Sequence, residues 1–313
     1  MLNRRHIRIK VMQTVYAMHQ QQATDINQQE KFLFKSIEDI LDLYLIIIAA
    51  LGEIRDMEED FLTKSSQKIL KSKADENPNR KFIDNPILKE LSDNEDLNSL
   101  LAKRKINWSL NESYLKIVIE AMKSSFLYEK YMNTPVKGFE EDKQFVVDLF
   151  CEVIAPNDKF NEHLEDLSIS WIDDIPIVNT LISKQLSGFK KEQKFKFKVP
   201  AIYKDLDDKD FAKQLFRKVV LNEEKLAHEF SDKTPNWDTD RIAELDSIIL
   251  KMAIAELLHF PSIPVKVTIN EYVEIAKEYA TPKSSIFING ILDKLSKEYL
   301  VKNKNLKIGR GLL

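Results

Sequence analysis

Six glycines in 313 residues leave this chain few places to reverse direction cheaply. Tight turns and helix ends favour glycine because it alone enters positive φ without a Cβ penalty. Ten prolines add little further punctuation, and Lys, Glu, Leu and Ile dominate the stretches between. Straight-chain helix formers with so few breaks predict an all-α protein. Hydrophobic side chains make up 43% of the chain and charged ones 31%. That supplies core for one large or two ordinary domains.

The net charge of -3 provides no global basic field, so any contact with nucleic acid must come from a local cluster. One cysteine, Cys151, excludes an internal disulfide and a cysteine-based metal cage. Beside Phe150 and Val153 it reads as a small core residue. His6, His19, His163, His228 and His259 are scattered without metal-ligand spacing, and GxxxxGK[ST], GxGxxG and HExxH are all missing. No enzyme chemistry, cofactor or metal is therefore expected. The acid pairs Glu58-Glu59, Asp173-Asp174 and Asp207-Asp208 read as exposed faces or loop punctuation. The basic first ten residues precede no long apolar run, so no secretory signal is expected. Leu43 to Leu51 is about half of what a bilayer crossing needs and reads as a buried helix. A cytoplasmic protein without a membrane partner is expected.

Residues 4–20 read as a helix capped by Asn3, with apolar stripes Ile7, Val11, Val15, Met18 and Ile9, Met12, Tyr16. Its first turns carry Arg4, Arg5, His6, Arg8 and Lys10, and the first acidic residue of the chain is Asp25. Cations at the free amide end of a helix suit phosphate, and arginine forks can stack on splayed bases. Apolar spacing predicts further helices over 32–70, 86–104, 109–132 and 241–260, with an exposed connection at 72–86. Lys/Phe alternation in 194–204 suggests a short strand. Thr268 with Glu271 reads as a capping box, and Thr281-Pro282 as the start of the last helix. Gly290 inside that helix suggests close approach of another backbone.

Residues 143–182 align without gaps to 209–248, at an offset of 66 residues. Phe145/Phe211, Leu149/Leu215, Phe150/Phe216, Val153/Val219, Trp171/Trp237 and Ile182/Ile248 coincide. Shared identities at core spacing predict a duplicated helix–loop–helix unit.

Two segments resemble the NusB family of transcription antitermination factors. Residues 4–20, RRHIRIKVMQTVYAMHQ, are similar to that family's Arg-rich opening helix with its Gln-x-x-Tyr turn, Gln13 and Tyr16. Residues 237–295 carry Ala-x-x-Glu-Leu (Ala253, Glu256, Leu257), Ile-Pro-x-x-Val (263–267), Ile-Asn-Glu (269–271), Ala-Lys (276–277) and Phe-Ile-Asn-Gly-Ile-Leu (287–292) in family order. Residues 209–236 resemble the helix just before. The resemblance implies two three-helix subdomains, here enlarged by a helical insertion. The expected layout is an opening helix 1–20, an inserted or diverged region 21–208, a family-like part 209–300 and a basic tail 301–313. It also implies binding of a boxA-like single-stranded RNA element of nascent ribosomal RNA. The partner is NusE, a ribosomal protein, within an RNA polymerase antitermination complex. Arg4, Arg5, Arg8, Lys10 and Phe287 are the implied RNA contacts, and Tyr16, Asp240 and Asp246 the implied NusE contacts. Lysines and Arg310 in the tail are a possible supplement. Two alternatives stand beside this reading. NusB-like domains also precede RNA cytosine methyltransferase domains, but no Gly-rich strand-to-helix turn supplies a cofactor domain here. The other is a protein–protein scaffold without direct RNA binding.

Overall fold

Side-chain caps set where several helices begin. The computed structural model describes residues 2–68, 77–190, 196–231, 233, 242–302 and 307. The first helix, α1, is Arg4–Gln20. Asn3 Oδ1 accepts the His6 amide at 3.0 Å and the His6 ring accepts from the Asn3 amide at 3.4 Å. That reciprocal pair is a capping box with histidine in the third place. Helix α2 is Ile26–Ser66, and its apolar run from Leu43 to Leu51 is buried throughout.

Two helices longer than observed were expected next, and each divides at a polar side chain. Helix α3 (Pro86–Asp93) gives way to α4 (Glu95–Arg104) at Asn94, whose side chain accepts the Leu97 amide at 2.8 Å. Helix α5 (Glu112–Ser124) gives way to α6 (Phe126–Asn133) at Ser125, which accepts the Tyr128 amide at 3.2 Å. A side chain that satisfies a free amide stabilises a break that apolar spacing does not reveal. Helix α7 (Phe139–Leu149) runs into a π-helical turn, Phe150–Ile154. Then come α8 (Asp158–Leu167), a 3-10 turn (Ile169–Trp171) and α9 (Ile175–Ser187). The last five helices are α10 (Leu206–Leu221), α11 (Glu223–Ser231), α12 (Glu244–His259), α13 (Val265–Tyr279) and α14 (Ser284–Val301).

The Lys/Phe alternation of 194–204 forms no strand among its described residues. Side chains do the pairing instead: Glu90 accepts the Phe197 amide at 2.8 Å, and Asn94 donates to its carbonyl at 3.1 Å. The protein is all-α.

The chain divides into two compact units, residues 1–37 with 202–313, and residues 38–201. In the first, α12 is buried at Asp246 and at every position from Ile248 to Leu257. A helix buried round its circumference needs neighbours on every side. Helices α1, α10 and α11 form one set of three against it, and α12 joins α13 and α14 in another. In the second unit, Trp108 is buried, donates to the Ile46 carbonyl at 3.0 Å and stacks on Phe160 at 5.5 Å. Tyr131 stacks on Phe145 at 3.8 Å.

The two segments expected to be copies fall one in each unit. The order α7–α8–α9 matches α10–α11–α12, and Phe145/Phe211, Leu149/Leu215, Phe150/Phe216 and Ile182/Ile248 are buried in both copies. Trp237 lies outside the described residues.

Several local expectations are corrected. Cys151 is exposed, because Phe145, Val146, Leu149, Phe150 and Val153 take the core face at three- and four-residue spacing. Thr268 caps nothing: α13 begins three residues earlier, and the buried Thr268 hydroxyl bonds to Glu256 at 2.8 Å. The last helix starts at Ser284, just after Thr281-Pro282, with the Thr281 and Ser284 hydroxyls 2.8 Å apart. Each acid pair has one buried member, Glu58, Asp174 and Asp208, while Asp173 and Asp207 are exposed and Glu59 is half-buried. Gly290 has no neighbouring atom within 4 Å of where a Cβ would sit. The close approach occurs at Gly52 instead, whose Cβ would lie 3.2 Å from the Ser92 backbone.

Candidate functional site

The basic start of α1 is free of acids along its own sequence, yet three acids reach it from other elements. Arg4 Nε donates to Asp208 of α10 at 2.9 Å. Arg5 makes a two-pronged bond to Glu271 of α13, at 2.9 and 2.8 Å. Arg8 does the same to Glu256 of α12, at 2.8 and 2.7 Å. Asp208 is held by the first turn of α10, where Asp205 accepts its amide at 3.1 Å. The Arg4 and Arg8 guanidiniums also lie over the Phe211 ring, at 5.1 and 5.2 Å from its centre.

Burial separates the three arginines. Arg4 and Arg5 side chains are 37% and 38% exposed, whereas Arg8 is 2% exposed and its partner Glu256 is 0%. Thr268 and Tyr272 hydroxyls complete the shell of Glu256, at 2.8 and 3.2 Å. Burial opposes the charge of Arg8, but Glu256 outweighs it and raises the guanidinium pKa above its ordinary value. Burial would likewise raise the Glu271 carboxyl. The Arg5 hydrogen bond and the charges of Arg8 and Arg5 instead hold it below the usual carboxylate range.

These residues line a cleft of about 600 Å³. Asn3, Arg4, Arg5 and Arg8 form one wall; Ser262, Ile263 and Pro264 lead into α13, which adds Val267 and Glu271. The cleft thus joins an arginine fork, backbone at the positive end of a helix, and an apolar floor. That combination suits a phosphate with an adjoining base.

The other expected contacts fall elsewhere. Lys10 is buried and does not line the cleft, and Arg8, which does line it, is 2% exposed with both prongs of its fork on Glu256. Arg8 instead ties α1 to α12. Phe287 does not line the arginine cleft. It lines a separate one of about 260 Å³ with Ile242, Ala243, Asp246, Thr281, Lys283 and Ser284. Asp246, expected at a protein contact, is buried and accepts from the Ser284 hydroxyl at 2.8 Å. Burial pushes its carboxyl above the ordinary value. Tyr16 is 40% exposed on α1. Asp240 lies outside the described residues, as do Lys304 and Arg310 of the tail. Lys307 donates to the Phe260 carbonyl at 3.0 Å.

The sequence reading missed Asp208, Glu256 and Glu271 as partners of the arginines. Two of them were in view as motif positions, in Ala-x-x-Glu-Leu and Ile-Asn-Glu. Acids at fixed places in an apolar helical block, with buried-type spacing, are a signal for distant cations.

Among the described residues no group of histidine, cysteine and carboxylate side chains could hold a metal, and no helix is long and apolar enough to cross a membrane. The NusB family model matches residues 177–297. The transcription antitermination protein NusB of Salinibacter ruber is 38% identical over 109 residues, 35% of this chain and 68% of that protein. The protein of the same name from Chloroherpeton thalassium is 40% identical over 109 residues, 35% of this chain and 52% of its own length. A solved structure of T. maritima NusB is 37% identical, with a TM-score of 0.30, over 32% of this chain and 70% of that one. With α1 bound through Arg5 and Arg8 to the very motif positions that align, this chain belongs to the NusB family.

Proposed function

We propose that the chain is a transcription antitermination factor, a non-catalytic RNA-binding adaptor working in the cytoplasm. The ligand is a boxA-like single-stranded element of nascent ribosomal RNA. It is bound together with NusE, so that RNA polymerase elongates processively. What supports this most is the pair Arg4 and Arg5, each more than a third exposed at the amide end of α1 beside an open cleft. The Arg4 bridge to Asp208 uses Nε alone, which leaves its two terminal nitrogens outside that bond.

In this reading Arg4 and Arg5 hold phosphates and Ile263, Pro264 and Val267 offer a base an apolar floor. Arg8 and Lys10 act by fixing α1. Phe287 is a second, separate RNA contact. Tyr16, Asp240 and Asp246 form the NusE surface, with Asp246 reached only after local opening. Residues 1–20 and 209–300 make the family core, 21–208 the added region and 301–313 a basic tail.

Fluorescence anisotropy with a short boxA-like RNA tests this. The protein should bind more tightly with NusE present and more weakly as salt rises. R4A/R5A should weaken binding about tenfold and make the log–log salt slope shallower by roughly 0.7 per lost phosphate contact. Far-UV circular dichroism should stay unchanged. Equal affinity and slope in the folded double variant would remove the cleft from the RNA surface.

A further inference from the structure

Residues 160–183 contain no lysine and no arginine, while Glu162, Glu165, Asp166, Asp173 and Asp174 supply five carboxyl groups. They span the end of α8, the 3-10 turn and the start of α9, all inside the 38–201 unit. At the edge Lys159 pairs with Glu162 at 2.6 Å, Asp174 is buried, and Glu165 and Asp166 are exposed. The only histidine in the stretch adds no balancing cation. His163 stacks on Tyr114 at 4.1 Å, and burial holds it below its ordinary pKa. Helix α5 packs on α8, but its Lys116 and Lys123 are paired with Glu112 and Glu58.

The same stretch places large apolar side chains in water. Ile169 is 83% exposed, Ile172 46% and Leu167 45%. Three such residues within six positions, ringed by carboxylates, differ from apolar residues scattered singly over a surface. Between them sits Trp171, only 8% exposed, whose indole N–H has no hydrogen-bond acceptor among the described residues. A buried donor without an acceptor marks this turn as incompletely satisfied by the chain's own contacts.

We propose that the turn from Leu167 to Asp173 is a docking surface for a basic, amphipathic segment of another protein. Its apolar side chains would cover Leu167, Ile169 and Ile172. Its lysines or arginines would face Glu165 and Asp166. Nucleic acid does not fit here, since carboxylates repel phosphate. The proposal stands apart from the arginine cleft and does not depend on it.

The test uses the full chain and a fluorescein-labelled helical probe peptide, Leu-Lys-Lys-Leu-Leu-Lys-Leu repeated twice. An all-lysine peptide and a version with Glu in place of Lys are controls. Anisotropy should show the Leu/Lys peptide binding at least about tenfold more tightly than either control. Binding should fall by about tenfold in I169D/I172D and, independently, in E165K/D166K. Hydrogen exchange should slow over 165–173 when the peptide is present. E165K/D166K changes surface charge alone, so it decides the matter even if the isoleucine variant loses helicity. Unchanged affinity in E165K/D166K, protection elsewhere, or equal binding of all-lysine peptide each overturns the proposal. So does tighter binding of a single-stranded RNA to this turn.

Discussion

Arg8 and Glu256 exchange two charged hydrogen bonds with almost no solvent access, and Thr268 and Tyr272 supply the remaining donors. Removing one partner leaves the other charge buried alone, which typically costs about 3–5 kcal/mol. R8A and E256A should each lower urea-unfolding stability by roughly that amount. R8M/E256L removes both charges and should fall short of the summed losses by roughly 2 kcal/mol. Strict additivity would show that the two side chains are not coupled. His19 gives a pH signature. Its Nε2 lies 3.0 Å from Glu223 and its Nδ1 3.3 Å from Glu244. The Glu223 hydrogen bond, against burial, raises His19 above its ordinary 6.5. A raised histidine stabilises the fold fully below 6.5, and that contribution is lost as pH rises through its folded value. As pH rises from 6.5 through the raised folded value, H19Q should therefore lose less stability than the native chain. His163 and His259 are depressed by burial and act with the opposite sign, so the comparison isolates His19. Arg4 and Arg5 were legible as a cationic helix start from their run alone. Arg8 was not separable from them, because one turn of helix turns a solvent-facing fork into a buried one. That depends on which face Ile7, Val11 and Val15 commit to the core.

At the level of elements, Gly290 lacks the close approach its place in a helix suggested, and Gly52 has one. Gly290 sits exposed in α14 with open space around it. Replacing it with alanine adds helix propensity and restricts the unfolded chain, so G290A should stabilise by about 0.5–1 kcal/mol. Gly52 lies where α2 meets the backbone of Ser92, with 3.2 Å to Cα and to N. A backbone neighbour yields less readily than a side chain, and G52A should destabilise by about 1–3 kcal/mol. Urea midpoints at constant m-value check both, and stabilisation by G52A would contradict the packing. Helix α1 was legible from apolar periodicity to the residue, and α2 within several residues at each end. Breaks at Asn94 and Ser125 were not, since each turns on one polar side chain capping an amide three residues on. Thr268 shows the converse: its spacing to Glu271 fits a cap, but both side chains answer to distant residues, Glu256 and Arg5.

For the whole molecule, the two segments aligned by the repeat fall one in each compact unit. Phe145, Leu149, Phe150 and Ile182 do in the 38–201 unit what Phe211, Leu215, Phe216 and Ile248 do in the other. Each unit therefore buries its own apolar core, which is the condition for cooperative unfolding of its own. The family model matches residues 177–297, which hold the second copy and only the end of the first. The tryptophans make the consequence measurable. Trp108 and Trp171 belong to the 38–201 unit, and Trp237 falls in the other span. In a W237F background, emission reports on 38–201 alone, whereas far-UV circular dichroism reports on both units. E256A removes the buried partner of Arg8 in the α1–α12 set. It should move part of the dichroism transition to lower urea and leave the emission midpoint within error of the W237F parent. Coincident shifts of both signals would mean that the two cores unfold as one cooperative body, and that the duplicated plan does not confer separate stability.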